Sequence, residues 1–446
     1  MEPMPSALLT DLYQLNMIQA YLESGQTDTA VFEFFVRKLP NQRSFLMAAG
    51  LQQALEFLEN LRFSDDELAW LGKSGRFSAS LLEYLANFSF SGDVDAMPEG
   101  TVFFANEPIL RITAPLPEAQ LIETRLINVL HFQSLIASKA ARMVQLAPNK
   151  LLVDFGLRRA HGAEAGLMAA RASYIAGFAG TANVLAEKLF GIPTYGTMAH
   201  SFVQSFDNES AAFETFARAR PSNLVLLIDT YDTLAAARKV VALAPRLQSL
   251  GIKIYGVRLD SGDLVALSKS VRHVLDEGGL KDTTIFASGG IEEDTLAAFT
   301  RERAPIDGVG IGTSLATSSD VPALDCAYKL QEYAGLPRRK RSTGKATWPG
   351  RKQVWRRYGP DGRMASDTLS VEDDRHDGKP LIQPVVVGGR CVGPQPSLDD
   401  VRAHARQELS RLPPELVMLS PRTRYTAQVA PSLERLAAAV DSRTSS

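Results

Sequence analysis

Six short polar segments in the middle of the chain hold the residue types that bind phosphates and transfer them. They are Asp154-Phe155-Gly156-Leu157-Arg158-Arg159, Gly196-Thr197-Met198-Ala199-His200, Asp229-Thr230-Tyr231-Asp232, Arg258-Leu259-Asp260-Ser261-Gly262-Asp263, Ser288-Gly289-Gly290 and Gly310-Ile311-Gly312-Thr313. The glycines of the last two let backbone N–H groups approach a phosphate, and a following helix N-terminus adds a positive dipole. Their plain alternative is a pair of tight turns. In the fourth segment, strand alternation sets Arg258 and Asp260 on one side. The arginine can grip a carboxylate or phosphate at two points. The aspartate can accept from sugar hydroxyls or hold Mg2+. The competing reading is a structural Arg–Asp pair, with Asp263 as a helix cap. His200 closes its segment as base, metal ligand or nucleophile, against the alternative of a hydrogen-bonded structural histidine. Asp229 and Asp232 end the neighbouring run. A carboxylate beside a histidine fixes its tautomer and raises its basicity, as a phosphoryl-accepting histidine needs. Phe155 with Arg158 and Arg159 suits a flat anionic ring, or else is a core phenylalanine with surface arginines.

Each segment terminates a short apolar run, and helical patterns separate the runs. The runs read as strands at 151–154, 194–197, 224–229, 254–259, 284–287 and 308–311. The helices read at 163–189, 209–218, 232–250, 263–276 and 292–303. Strands alternating with helices of this length predict a parallel sheet, and parallel strands feeding one crowded rim build the active site of a βα barrel. Six strands fall short of a complete eightfold barrel, so either the α/β barrel is irregular or it draws on strands that the pattern does not reveal. Residues 1–116 mix helical and strand-like patterns, including a capping box at Ser64 with Glu67, and end at a Pro-rich turn. Residues 117–328 hold the barrel. Residues 329–446 contain strand-like stretches at 354–358 and 384–387, which a barrel cannot house. They are expected to join the N-terminal segment in a second, smaller α+β domain.

The chain has 446 residues, 45% apolar and 22% charged, with net charge −2, which gives no global pull toward nucleic acid. Its two cysteines, Cys326 and Cys391, lie far apart without paired histidines. That argues against structural zinc and fits a reducing compartment. No secretory signal and no membrane-length apolar stretch is evident, so a cytoplasmic protein is expected. One local exception is the stretch from Arg338 to Arg357, with nine basic residues and no acidic one. It reads either as a solvated loop or as a phosphate-facing one.

Taken in order, these motifs resemble the nicotinate phosphoribosyltransferase family. The resemblance runs from Thr10-Asp11-Leu12-Tyr13-Gln14 through the six segments to Gly344-Lys345 and Pro349-Gly350-Arg351-Lys352. It implies a type II phosphoribosyltransferase fold and a homodimer with shared active sites. It implies an ATP-coupled reaction of nicotinate with phosphoribosyl pyrophosphate, assisted by Mg2+, as the first step of NAD salvage from nicotinate. On that resemblance His200 carries a phosphohistidine and Asp229 orients it. Phe155 stacks on the pyridine ring, and Tyr13 of the partner subunit covers the other side. Arg158 and Arg258 lie near the carboxylate, and Asp260 binds the ribose hydroxyls. Ser288, Gly289, Gly290, Gly310, Gly312 and Thr313 cradle the 5′-phosphate. Arg37, Lys38 and the basic stretch face diphosphate or nucleotide. Metal ligands are not assigned. Related nicotinamide enzymes carry an Asp after a Gly-Thr pair where this chain has Ala182, which leans toward the acid substrate. In place of the paired glycines many members show, the chain has Pro40-Asn41-Gln42-Arg43-Ser44-Phe45. The alternatives are a quinolinate or nicotinamide phosphoribosyltransferase, a catalytically silent binding homologue, or an unrelated phosphate-binding barrel.

Overall fold

The computed structural model describes residues 6–419 and 425–444. The chain folds as two compact units, one of residues 139–322 and one composed of residues 1–138 with 323–446. The sequence puts the first boundary at the Pro-rich turn near Pro117. The units instead change over inside the helix Glu123–Leu146. The composite unit, expected to be the smaller, holds the greater share of the chain.

The unit of residues 139–322 is built on a parallel sheet. Its strands are β1 (Leu151–Asp154), β2 (Gly180–Thr181), β3 (Leu224–Leu227), β4 (Ile254–Leu259), β5 (Thr284–Ser288) and β6 (Gly308–Ile311), in the order β2-β1-β6-β5-β4-β3. An isolated bridge from Thr181 to Thr194 extends the β2 edge. Among the described residues no ladder joins that edge to β3, so the sheet is an open half-barrel. Val153, Leu226, Val257, Ala287 and Val309 are fully buried, as expected of strands covered by crossover helices.

Two expectations are corrected here. Among the described residues the run 194–197 contributes only that single bridge, flanked by the Tyr195 N–H donating to the Thr181 carbonyl at 2.9 Å and the Thr181 N–H donating to the Pro193 carbonyl at 3.1 Å. The long helix expected at 163–189 is two helices, Ala163–Ala176 and Val184–Phe190. Gly177 breaks it at φ 123°. The chain then enters β2, where a Cβ on Gly180 would sit 2.1 Å from the Pro193 carbonyl oxygen. Only glycine fits that approach. The later helices obey their caps. Asp232 accepts from Ala235 N–H at 2.7 Å and Asp263 from Ala266 N–H at 3.1 Å, so Asp263 acts as the cap allowed for it.

In the composite unit, the C-terminal stretch joins the N-terminal one. A seven-stranded sheet runs Leu336–Pro337, Cys326–Tyr333, Thr29–Val36, Pro108–Pro115, Asp93–Ala96, Gln383–Val387 and Arg390–Cys391. The other expected strand, Lys352–Tyr358, belongs to a separate four-stranded sheet with Met364–Val371. Ser64 and Glu67 form the capping box read from sequence. No helix among the described residues is long and apolar enough to cross a membrane.

Candidate active site

The C-terminal ends of β1, β3, β4, β5 and β6 carry the polar segments, the rim where parallel barrels place their chemistry. Asp229, just beyond β3, is the hub. Its Oδ2 accepts from the Asp260 N–H at 2.9 Å and from the Ser261 hydroxyl at 2.7 Å. Its Oδ1 is buried and has no hydrogen-bond partner among the described residues. Asp260 accepts in turn from the Ser288 hydroxyl. Gly289 is required beside it. At φ 89° a Cβ there would sit 1.9 Å from the Asp260 carbonyl oxygen. The tips of β3, β4 and β5 are thereby tied into one polar lattice.

His200 does not end a strand, as expected, but opens the short helix His200–Gln204. Its imidazole does not meet Asp229, whose carboxylate is taken up by the β4 tip. Nδ1 instead hydrogen-bonds the Thr230 hydroxyl at 3.1 Å, and Nε2 faces Asp260 Oδ2 at 3.8 Å. Thr230 was missed by sequence reasoning. Its only signal was a hydroxyl between two strand-end carboxylates.

Arg258 donates to the Thr197 hydroxyl at 2.7 Å and the Met198 carbonyl at 3.0 Å. Its Nε is buried without a partner, and it forms no ion pair among the described residues. Burial depresses its pKa, Asp260 and Asp229 oppose that, and the nearby Arg158 adds to it. Two guanidinium groups thus share a neighbourhood without direct neutralisation. Arg258 pairs in register with Phe286, whose ring centroid lies 5.8 Å from that of Phe155. Phe155 lies against Gly310, where a Cβ would come within 2.4 Å of its ring. Gly310 therefore makes room for the aromatic ring, a different task from the phosphate cradle expected of it. Gly312 is the residue before the short helix Thr313–Ala316, and Thr313 and Gly290 are exposed.

Asp154 is 1% exposed; burial pushes its carboxyl up to about 6, against hydrogen bonds from Thr181 and Gly156. Ala182 is exposed directly after Thr181.

The remaining predicted residues lie in the composite unit. Tyr13 sits in the first turn of Leu12–Glu23 and is 46% exposed. Arg37 is paired with Asp325 at 2.8 Å, and Lys38 is exposed. Arg43 is buried and donates to the Leu135 carbonyl at 2.9 Å. The basic stretch is divided. Arg339 pairs with Asp441 at 3.4 Å, Arg351 with Glu332 at 3.2 Å, Lys352 with Glu33 at 2.7 Å, and Arg356 with Asp367 at 2.6 Å. Those four serve the fold: Lys352 and Arg356 face fully buried carboxylates, and Arg339 and Arg351 are held by partly exposed ones. Lys340 and Lys345 remain exposed.

An open parallel half-barrel with a phosphate-suited rim, joined to a composite α/β unit, is the architecture of the type II phosphoribosyltransferases. Three domain models of one family match this chain: the nicotinate phosphoribosyltransferase N-terminal domain at residues 8–131, the nicotinate phosphoribosyltransferase family at 151–334 and its C-terminal domain at 374–437. A nicotinate phosphoribosyltransferase of Mycobacterium tuberculosis is 51% identical over 427 residues, covering 96% of this chain and 91% of the relative. The Bacillus subtilis enzyme of that name is 42% identical over 357 residues, covering 78% and 73%. The crystal structure of human nicotinic acid phosphoribosyltransferase superposes with a TM-score of 0.87 at 31% identity, covering 97% of this chain and 99% of the other. The chain belongs to the nicotinate phosphoribosyltransferase family.

Proposed function

We propose that this protein joins nicotinate to the ribose of phosphoribosyl pyrophosphate, coupled to ATP through a phosphohistidine at His200. The observation that carries the reading is Arg258, which has no ion pair among the described residues, in register with Phe286, whose ring neighbours that of Phe155. An aromatic surface beside a guanidinium without an ion pair suits a flat ring bearing one carboxylate. Ala182 adds no carboxylate to repel that anion. Nicotinamide lacks the charge that Arg258 and Arg158 would meet. Quinolinate has two carboxylates and gives a phosphohistidine no use.

In the transfer, the pyridine nitrogen forms a bond to C1 of the sugar as the C1–O bond to diphosphate breaks. Asp260 accepts from the ribose hydroxyls. The β5 and β6 tips offer backbone N–H groups to the 5′-phosphate. Lys38 and the exposed lysines of the basic stretch would meet diphosphate or nucleotide, whereas Arg37 is already taken up by Asp325. In the coupling step a nitrogen of His200 attacks the γ-phosphorus of ATP, ADP leaves, and water later releases phosphate. The family reading makes Mg2+ a cofactor. The buried Asp229 Oδ1, without a hydrogen-bond partner among the described residues, and the adjacent Asp260 carboxylate are hard oxygen donors that fit it. No cluster of three or more ligating side chains exists among the described residues, so substrate phosphates and water would complete the shell. Bound there, Mg2+ would neutralise charge on the departing diphosphate. Tyr13 of a second copy would cover the pyridine ring, which makes the working unit a homodimer. The reaction is a cytoplasmic entry into NAD.

The phosphohistidine is tested with γ-labelled ATP. Acid-labile label is expected on the wild type and absent from His200→Ala, which should keep ATP-independent transfer. Label retained by His200→Ala would refute the assignment.

A further inference from the structure

We propose that Asp154 is a positioning residue that locks the tips of β1 and β2 together and so sets Phe155 and Ala182 as one pyridine-recognition surface. The inference rests on the nicotinate reading above. Asp154 is the last residue of β1, and its backbone carbonyl accepts from the Ala182 N–H at 2.8 Å. Its side chain reaches both tips. Oδ1 accepts from the Gly156 N–H at 2.8 Å, and Oδ2 from the Thr181 hydroxyl at 2.8 Å. Thr181, fully buried, also accepts from the Asn183 N–H at 3.1 Å. One carboxylate therefore fixes the residue after Phe155 and the residue before Ala182.

The path between those points has little slack. A Cβ on Gly156 would stand 2.5 Å from the Ala316 Cβ and 2.9 Å from Asp154 Oδ1. Phe155 N–H donates to the Ile311 carbonyl at 2.8 Å, and its ring occupies the space above Gly310. Strand β2 has only two residues, so few ladder bonds hold its tip. A buried carboxylate is a costly way to join two strands. It offers what a neutral group lacks, two acceptor oxygens at once, one for each tip. The groups acting on it are the Thr181 hydroxyl and the Gly156 N–H, neither of which titrates in the working range. Its carboxyl, raised to about 6 by burial, gains a proton just below neutrality. Protonation turns one of the two anionic acceptor oxygens into a hydroxyl, a weaker acceptor, so the lock loosens as pH falls through that value.

The test compares Asp154→Asn, Thr181→Val and Thr181→Ser with the wild type by steady-state kinetics and thermal unfolding. For Asp154→Asn and Thr181→Val, KM for nicotinate should rise about tenfold, with KM for phosphoribosyl pyrophosphate changed less than about twofold. Thr181→Ser, which keeps the hydroxyl, should restore the wild-type value. The wild-type nicotinate KM should climb as pH falls from about 7.5 to about 5.5, and that climb should flatten in Asp154→Asn. Equal rises in both KM values, or none, would overturn the inference. If Asp154→Asn does not fold, the two Thr181 variants decide alone. If the wild type uses another pyridine, the proposed substrate fails, and the same KM split is read on the pyridine it does use.

Discussion

The two units bury arginine for opposite ends. In the composite unit Arg356 is wholly buried and fully matched. It binds Asp367 through Nε at 3.0 Å and Nη2 at 2.6 Å, Glu408 at 3.0 Å and the Val102 carbonyl at 2.8 Å. Lys352 is likewise buried against Glu33. In the half-barrel Arg258 is held by a hydroxyl and a carbonyl, with Arg158 nearby and no ion pair among the described residues. Both side chains come from strands next to acidic residues. A matched guanidinium has no charge left for a ligand, whereas one held only by neutral acceptors keeps it. The basic stretch around Arg351 therefore looked more like a ligand site from sequence than its carboxylate partners permit.

Exchanging the roles should break the comparison in two directions. Arg356→Met leaves Asp367 and Glu408 buried without their cation and should cost about 3–5 kcal/mol of stability in urea unfolding. Arg258→Gln should unfold within about 1 kcal/mol of the wild type while kcat/KM for nicotinate falls about 100-fold. If the two variants traded profiles, the assignment of structural and functional arginines would be reversed. Gly289→Ala probes the lattice around Asp260. The added methyl collides with the Asp260 carbonyl and is strained at positive φ, so kcat should drop at least about tenfold, read by steady-state turnover. Ala182→Asp sharpens substrate choice. A carboxylate after Thr181 should shift the nicotinate-to-nicotinamide ratio of kcat/KM toward the amide by about tenfold, and an unchanged ratio would remove Ala182 from the specificity argument.

The smallest effect concerns pH. In the composite unit His131 Nε2 accepts the Leu324 N–H at 2.9 Å, and burial lowers its pKa. A histidine depressed in the folded state binds its proton more readily when unfolded. Its contribution is therefore present above the ordinary value near 6.5 and is lost as pH falls through it. From about pH 8 to about pH 5 the wild type should lose on the order of 1 kcal/mol more stability than His131→Gln, measured by urea titration at each pH.

Much of the half-barrel was legible because buried parallel strands are largely apolar, as at Leu152-Val153 and Gly308–Ile311. Strand β2 was not. Gly180-Thr181 carries no apolar run, and its pairing depends on backbone contacts only a folded chain makes. Residue types at the rim were also legible, since glycine and charge after an apolar run are local signals. Their pairings were not. Asp229 meets Asp260 and Ser261, and His200 meets Thr230, because loop paths, which sequence spacing does not encode, decide which tips touch. The same holds for Gly310, whose bare Cα serves the Phe155 ring.

The account turns on the substrate. Purified protein should be incubated with phosphoribosyl pyrophosphate, Mg2+ and equal concentrations of nicotinate, nicotinamide and quinolinate, each with and without ATP, and the mononucleotides quantified. Nicotinate mononucleotide should dominate, form with nicotinate as its source, and increase with ATP. Preferential use of nicotinamide or quinolinate, or no product from any of the three, would contradict it.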